Sequence, residues 1–215
     1  VPQRRSEVMT MPINIILCGV GGQGTVLASK LLSAAAMARG LPVMGAETIG
    51  MAQRGGSVFS HIRIGKGACA PMIALGQADL IIGFEPGEAV RMLPYLKPQG
   101  SMIVSSSPVM PVTAALAGGD YSAEDMLTFL RSRVSRLCIV DSEASAKVLG
   151  SSRVLNLVLL GVAAQSGAVG LSAAELEAAM LQKVRPVFHD INRRALAYGA
   201  SLWTGSHDPG APHAQ

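Results

Sequence analysis

Short apolar segments alternate with longer Ala- and Leu-rich segments along most of the chain. An almost wholly apolar run begins at Ile13 and breaks into a glycine-rich turn that ends at Gly24. The next segment, Val26–Ala38, carries leucine and alanine at helical spacing and stops at Gly40. Because buried strand, tight turn and helix in this order are typical of α/β proteins, the pattern predicts a Rossmann-like beginning.

Five further apolar or alternating segments are predicted to be strands of the same sheet. They are Pro42–Glu47, Ser57–Ile64, the run from Ala78 into the acidic turn Phe84–Pro86, Ser101–Val104 and Leu137–Asp141. Helical patterns cover Ala123–Arg133 with Ser122 as N-cap, Val154–Ala164, Ser172–Gln182 and Pro186–Ala200.

We therefore expect an α/β fold, a three-layer Rossmann-like sandwich with a helical C-terminal section. The sheet should be mostly parallel, with a mixed sheet as the alternative. One domain is expected over residues 12–203, with flexible tails at 1–11 and 204–215.

The composition indicates a domain that another protein partly covers. Of 215 residues, 49% are hydrophobic and only 15% are charged, below the roughly 25% usual in soluble domains. The net charge is +4 and aromatic residues make up 4%, so the basic and aromatic surface of a nucleic-acid-binding protein is not expected.

Three cysteines, Cys18, Cys69 and Cys138, are too widely spaced for a disulfide framework or a C-x-x-C metal site. No apolar run is long enough to span a membrane, and the first ten residues lack the apolar centre of a secretory signal. We expect a cytoplasmic protein with no membrane association and no metal site of its own.

The glycine turn is the first candidate binding site. Three of its glycines fit the G-x-G-x-x-G spacing, and unpaired N–H groups at the following helix start favour an anion. The candidate cofactor-binding residues here are Gly19, Gly21, Gly22, Gln23 and Gly24. Because Thr25-Val26 stands where a Walker A loop has Lys-Ser/Thr, an ATPase site is not expected.

Glu47 is a further cofactor-binding candidate, since it lies 23 positions after Gly24. A dinucleotide-binding fold places the acid that holds a ribose hydroxyl near that distance. A loop carboxylate paired with a nearby arginine explains the same residue equally well. Both interpretations stay open.

A second glycine-rich loop, Thr48–Gly56, contributes the candidates Gln53 and Arg54. A guanidinium at Arg54 suits an anionic ligand, and tethering of the loop through backbone carbonyls is the alternative. The strand behind it places His61 and Arg63 on one face. His61 is interpreted as a structural histidine in preference to a catalytic one, and the catalytic residues stay unknown.

Several motifs together resemble one family, the gamma domain of the 2-oxoacid:ferredoxin oxidoreductases. The matching pieces are Gly-Val-Gly-Gly-Gln-Gly at 19–24, Glu47, Gly-Met-Ala-Gln-Arg-Gly-Gly at 50–56, Ser57 through His61-Ile62-Arg63, Phe84-Glu85-Pro86, Asn156 with Leu160-Gly161, and Phe188, Asn192, Ala195 and Gly199. They span nearly the whole chain from Ile13 to about Gly199. The loop at 50–56 is the most specific piece and favours the indolepyruvate branch over the pyruvate branch.

The resemblance implies oxidative decarboxylation of an aryl 2-oxoacid with coenzyme A, which yields acyl-CoA, CO₂ and reduced ferredoxin. Such chemistry requires thiamine diphosphate with Mg²⁺ and 4Fe-4S clusters. Since this sequence lacks clustered C-x₂-C-x₂-C cysteines and a Gly-Asp-Gly motif, both are expected on a larger partner subunit. The chain is then an accessory subunit in a hetero-oligomer, with a homodimer as a further option.

In that setting, the face around Gln53, Arg54, His61 and Arg63 is expected to meet the partner or the anionic part of the substrate. The glycine turn is expected to hold a coenzyme A phosphate, a flavin or nicotinamide nucleotide, or nothing. Two rival interpretations remain, a self-contained nicotinamide-dependent oxidoreductase and a non-catalytic scaffold. The nicotinamide-dependent enzyme needs a proton donor, and Tyr95-Leu96-Lys97 is the best candidate segment in this sequence.

Overall fold

The computed structural model describes residues 11–49, 55–110 and 121–203, which form a mixed six-stranded sheet between two layers of helices. The strands are β1 (Ile13–Val20), β2 (Val43–Ile49), β3 (Ser57–Ile64), β4 (Ala78–Gly83), β5 (Leu96–Ser105) and β6 (Leu137–Val140). The helices are α1 (Thr25–Ala38), α2 (Pro86–Met92), α3 (Ala123–Arg133), α4 (Ser142–Leu149), α5 (Leu155–Gln165), α6 (Ala173–Lys183) and α7 (His189–Leu202). The predicted α/β sandwich with a helical C-terminal section is confirmed.

The sheet order is β2-β3-β1-β4-β5-β6. Strands β1, β4, β5 and β6 pair in parallel, whereas β3 runs antiparallel to both β1 and β2. The predicted Rossmann-like beginning is present, since β2 runs parallel to β1 and α1 joins the two strands, but β3 lies between them. The more exposed strand, β2, takes the edge of the sheet, and β3, with buried residues on both faces, takes the interior place.

Each face of the sheet has its own apolar core. On one face, Ile15, Leu17 and Ile82 pack with α1, α5, α6 and α7. On the other, Ile16, Ile81 and Met102 pack with α2 and α3. Successive strand residues point to opposite faces, so the nearly continuous apolar runs of β1 and β4 follow directly from burial on both sides.

Two glycines let α5 and α7 touch backbone to backbone. A Cβ on Gly161 would lie 2.1 Å from the carbonyl oxygen of Leu196, and one on Gly199 would lie 2.0 Å from that of Val158. Both helices can therefore pack more closely than any side chain would permit. This contact fixes the start of α5, which borders the glycine turn described below.

Local capping signals are confirmed at two helices. The hydroxyl of Ser122 accepts a hydrogen bond from the Asp125 N–H at 3.2 Å at the start of α3. Ser172 and Glu175 form a reciprocal capping box at the start of α6. Among the described residues, no single helix has both the length and the apolar composition to cross a membrane. Helix α4 and the segment Ser152–Gln165 are long and apolar enough only when taken together, and they are bent by 114° relative to each other.

The segment 65–77 folds back over β3 and buries His61. The Ile73 N–H donates to Nδ1 of His61 at 3.0 Å, and the rings of Phe59 and Tyr95 lie edge-on at 5.6 and 5.7 Å. His61 is only 1% exposed, and burial lowers its pKa from 6.5. It is thus a structural histidine, as predicted, but the expectation that it belongs to an exposed partner-facing surface is wrong.

Arg63 also helps to hold the segment 65–77 against the sheet. Its Nε donates to Oδ1 of Asn14 and its Nη1 to the carbonyl oxygen of Ala70, both at 2.9 Å. The guanidinium that the sequence placed on a ligand-facing or partner-facing surface is therefore engaged in holding the segment 65–77 against the sheet.

We expect Gly199→Ala and Gly161→Ala to lower the free energy of unfolding by about 1–3 kcal/mol or more, because each new Cβ overlaps a backbone carbonyl of the facing helix. This loss exceeds the gain of up to about 1 kcal/mol in helix propensity. Gly45→Ala is the control, since its Cβ would meet only the carbonyl oxygen of His61 at 3.6 Å. Urea unfolding of the three variants measures the difference, and equal stability would contradict the close helix contact.

The stability of the chain should fall as the pH drops below about 6.5. The unfolded state then binds a proton at His61 that the buried neutral ring does not bind, which costs at most about 1.4 kcal/mol between pH 7.5 and 5.5. His61→Gln removes the titration and keeps an acceptor for the Ile73 N–H. Urea unfolding at both pH values should show a smaller pH effect in the variant; an unchanged effect would assign it to other groups.

Candidate functional site

The carboxyl ends of β1 and β4 form the switch point of the sheet. Helix α1 follows β1 and packs on one face, whereas α2 follows β4 and packs on the other. In open α/β sheets, ligands bind in the crevice that opens where successive helices leave toward opposite faces. The glycine turn at 19–24 and the turn at Phe84-Glu85 border this crevice.

The side chain of Gln23 bridges the two strand ends. Its Oε1 accepts from the Val20 N–H at 2.7 Å, and its Nε2 donates to the carbonyl oxygen of Phe84 at 2.9 Å. A Cβ on Gly19 would lie 2.7 Å from Gln23 Oε1, so the missing side chain of Gly19 makes room for the bridge. In this structure Gln23, a predicted ligand residue, uses both ends of its amide to join β1 to β4.

The glycine turn also bonds to the second glycine-rich loop. The Gly21 N–H donates to the carbonyl oxygen of Gly56 at 2.8 Å. The Gly21 carbonyl in turn accepts from the Gly55 N–H at 3.5 Å. Gly21 is therefore occupied by protein contacts. Gln53 and Arg54, the candidates in the second loop, lie outside the described residues, so their predicted roles stay predictions.

Glu47 lies on the exposed edge strand, two strand spacings or roughly 10 Å from β1. Its Oε1 accepts a hydrogen bond from the Ser29 hydroxyl of α1 at 2.6 Å. Within the described part of the chain, no arginine pairs with it. A role toward a ribose stays a prediction, although β3 separates this carboxylate from the glycine turn.

A cleft of about 580 Å³ lies between the glycine turn and the start of α5 and has room for a small ligand. Two cationic or donor features converge on it, the start of α1 and the side chain of Arg153. The lining also includes three serines and one glutamate. The lining residues are Gly22, Gln23, Gly24, Leu27, Ser107, Val109, Ser142, Glu143, Ala146, Ser152, Arg153, Leu155 and Asn156.

Helix α1 begins here without a side-chain cap or an acidic residue in its first turn. Its N-cap, Gly24, has a φ of +86°, a left-handed conformation that favours glycine. The amide of Asn156 lies directly against it, since a Cβ on Gly24 would be 2.9 Å from Asn156 Nδ2. The positive end of the helix dipole therefore faces the cleft uncompensated.

Sequence reasoning did not find Arg153, and it named Asn156 as part of the family resemblance without assigning it to a site. Arg153 is exposed and makes no side-chain hydrogen bond or ion pair with the described residues. Nothing in the local pattern marks it, because its proximity to the glycine turn arises from the packing of α5 some 130 residues later.

Buried carboxylates occupy the opposite side of the switch point. Glu85 caps α2 by accepting from the Glu88 N–H at 2.8 Å, and it also accepts from the Tyr121 hydroxyl. Burial, together with this hydrogen bond, raises the pKa of Tyr121 and keeps it protonated. Glu88 accepts from Ser57 at 2.6 Å and from Arg91 at 3.0 Å. Among the described residues, the α5 side of the turn therefore favours an anion more than this side does.

The residues that the sequence offered for acid–base chemistry lie away from the cleft. Tyr95 packs against His61, and Lys97 pairs with Asp79 at the start of β5, at the opposite end of the sheet from the cleft. Both candidate proton donors of a nicotinamide-dependent enzyme, Tyr95 and Lys97, therefore contact other residues and lie away from the cleft. Among residues 11–49, 55–110 and 121–203, no group of three or more His, Cys, Asp or Glu side chains is placed to hold a metal ion.

Comparison with known proteins identifies the family. The model of the pyruvate ferredoxin/flavodoxin oxidoreductase family matches residues 14–202. The indolepyruvate oxidoreductase subunit IorB of Archaeoglobus fulgidus is 34% identical over 88% of this chain and 94% of its own length. The common gamma subunit of the Pyrococcus furiosus pyruvate/ketoisovalerate oxidoreductases is 27% identical over 76% and 83%.

A solved structure shares the fold. The 2-oxoglutarate:ferredoxin oxidoreductase of Magnetococcus marinus, described with 2-oxoglutarate, coenzyme A and succinyl-CoA bound, superposes with a TM-score of 0.66 at 19% identity. The match covers 93% of this chain but 32% of that longer chain. In that enzyme the same fold is therefore one part of a larger polypeptide.

Gly24→Ala should destabilise the chain more than Gly22→Ala. Both glycines have positive φ, +86° and +105°, so each variant loses about 1–2 kcal/mol to backbone strain. Only the Cβ at Gly24 meets Asn156, whereas the one at Gly22 meets no atom within 4 Å. Overpacking should cost Gly24→Ala about a further 1–3 kcal/mol in urea unfolding. Equal losses would show that α5 does not press on the turn.

Proposed function

Because the chain belongs to the pyruvate ferredoxin/flavodoxin oxidoreductase family, whose relatives here include subunits of oxidoreductase complexes, we propose that it is the small accessory subunit of an indolepyruvate-type enzyme. The observation that carries this proposal is the 34% identity to an indolepyruvate oxidoreductase subunit over almost the full length of both chains. The lower identity of 27% to a pyruvate/ketoisovalerate subunit favours the same branch.

The proposed complex converts an aryl 2-oxoacid and coenzyme A to acyl-CoA and CO₂. Loss of CO₂ and formation of the thioester to the coenzyme A sulfur release two electrons, which ferredoxin accepts one at a time. When bound on the larger partner subunit, thiamine diphosphate with Mg²⁺ stabilises the carbanion and 4Fe-4S clusters carry the electrons. This chain is proposed to bind and orient, and the partner to supply the reactive groups.

Within this complex, the cleft beside the glycine turn is proposed to hold a phosphate of coenzyme A. The free N–H groups at the start of α1 and the guanidinium of Arg153 suit an anion of this kind. The cleft volume of about 580 Å³ lies in the usual range for small-molecule sites. Coenzyme A bound to the Magnetococcus marinus enzyme, which contains the same fold, agrees with this proposal.

A self-contained nicotinamide-dependent oxidoreductase is the less supported alternative. Its ribose-binding acid would be Glu47, which pairs with Ser29, and its proton donor would come from Tyr95 and Lys97, which face other partners. A non-catalytic scaffold differs from the proposed subunit in one respect only, since its cleft would bind no ligand.

Purification of the tagged chain from its source organism tests the proposal. We expect a brown complex that contains a larger subunit, thiamine diphosphate and iron, and that reduces ferredoxin with indolepyruvate and coenzyme A faster than with pyruvate or 2-oxoglutarate. Subunit masses, the visible spectrum and steady-state rates measure this. A solitary chain that retains a nucleotide would contradict the accessory role, and faster turnover of pyruvate would contradict the indolepyruvate assignment.

A further inference from the structure

Strand β2 leaves one edge of the sheet open. Within the described part of the chain it borders β3 alone, and every residue from Val43 to Ile49 pairs with β3 without a bulge. Native proteins usually protect such an edge with lysine or proline, a bulge, a very short strand or a covering segment. The other edge strand, β6, has four residues, whereas β2 has seven and contains neither lysine nor proline. The edge of β2 can therefore accept another strand.

Alternate residues of β2 direct their backbone groups away from β3. The Gly65 N–H donates to the carbonyl oxygen of Pro42, so Pro42 and every second residue after it bond to β3. The bond from the Gly21 N–H to the carbonyl oxygen of Gly56 agrees, because it directs the even-numbered residues of β3 toward β1 and leaves the odd-numbered ones for β2. The residues whose N–H and C=O groups consequently point outward are Val43, Gly45, Glu47 and Ile49.

Gly45 is a glycine that the described fold of a single chain does not require. Its φ is not positive, and a Cβ there would meet only the carbonyl oxygen of His61, at an ordinary contact distance of 3.6 Å. Glycine inside a strand weakens it and often marks a place where another backbone approaches closely. Since Gly45 lies on the open edge, that backbone belongs to a second strand beside β2.

The charge pattern of β2 fits a second copy of the same strand. Glu47 is its one charged residue. If two β2 strands pair antiparallel about a twofold axis at Ala46, all seven residues overlap and each Glu47 lies opposite Gly45, which has no side chain. An axis at Glu47 would oppose two carboxylates, and an axis at Gly45 would leave Thr48 and Ile49 without partners. The strand is therefore self-complementary in one register.

We propose that two copies of this chain pair edge to edge through β2, antiparallel and centred on Ala46, so that their sheets continue into one another. In this register Met44, which is 37% exposed in the single chain, lies opposite Thr48 of the second copy, so the pairing also covers apolar surface. The cleft beside the glycine turn lies beyond β3, toward the ends of β5 and β6, and the pairing does not require it. The proposal goes beyond the accessory role and does not depend on it.

Sedimentation velocity of the full chain between about 1 and 300 μM tests the proposal. Pairing through one strand edge gives an interface at the small end of specific interfaces, so we expect a dimer that dissociates on dilution. Gly45→Glu places a carboxylate opposite Glu47 of the second copy, twice in each dimer, and should raise the dimer Kd about 10-fold. Gly45→Lys is the matched control, because it adds a side chain of similar length with the opposite charge and should retain the dimer.

A double variant tests the register itself. Glu47→Lys combined with Gly45→Glu again places opposite charges across the twofold axis, so the dimer Kd should return to within about 3-fold of the wild-type value. Thermal unfolding confirms that each variant is folded. Hydrogen exchange of the unaltered chain gives an independent measurement: the Val43, Gly45 and Glu47 amides should exchange more slowly as the protein concentration rises.

Four results would each overturn the proposal. They are a chain that stays monomeric at every concentration, equal weakening by Gly45→Glu and Gly45→Lys, no recovery in the double variant, and outward amides whose exchange does not depend on concentration. In a monomer, protected outward amides would assign the edge to another segment of the same chain. Loss of the larger subunit from the purified complex on Gly45→Glu would assign it to that subunit. A negative result leaves the accessory role intact, because the role does not require two copies to pair.

Discussion

The rest of the structure depends on the absence of side chains at two positions of one turn. Without a Cβ at Gly19, the Gln23 amide can reach between β1 and β4 and hold their carboxyl ends together. Without a Cβ at Gly24, the chain can take a left-handed conformation and α5 can approach the start of α1. The two missing side chains therefore have two effects. They let Gln23 join β1 to β4, and they let α5 pack against the start of α1, where backbone N–H groups are free.

The helical C-terminal section is consequently part of the site and not an appendage to it. The backbone contact between Gly161 and Gly199 locks α5 to α7, and α5 in turn sets the position of Asn156 and, with the short helix before it, Arg153. On the other face of the sheet, the buried carboxylates of Glu85 and Glu88 are satisfied by hydroxyl, backbone and guanidinium donors. Negative charge on one side and free donors on the other give the crevice a polarity that a glycine motif alone does not possess.

These features agree with the proposed accessory subunit, which binds a ligand while another chain supplies the reactive groups. The described residues offer a cleft and converging donors, and the histidine, tyrosine and lysine nearest to catalytic types are engaged in packing or ion pairing. The fold stands as a separate subunit in some relatives and forms about a third of the Magnetococcus marinus chain.

The sequence by itself determined the features that depend on neighbouring residues. Strand and helix order, the caps at Ser122 and Ser172 and the glycine turn follow from periodicity and local hydrogen bonding, which act over a few positions. Motif resemblance also identified the family correctly. The placement of β3 inside the sheet, the burial of His61, the pairing of Glu47 with Ser29 and the arrival of Arg153 at the glycine turn were decided only by the tertiary structure. Each depends on which segments pack together across long sequence separations. The free energy of that packing depends on residues that are far apart in the chain, so no short stretch of sequence predicts it.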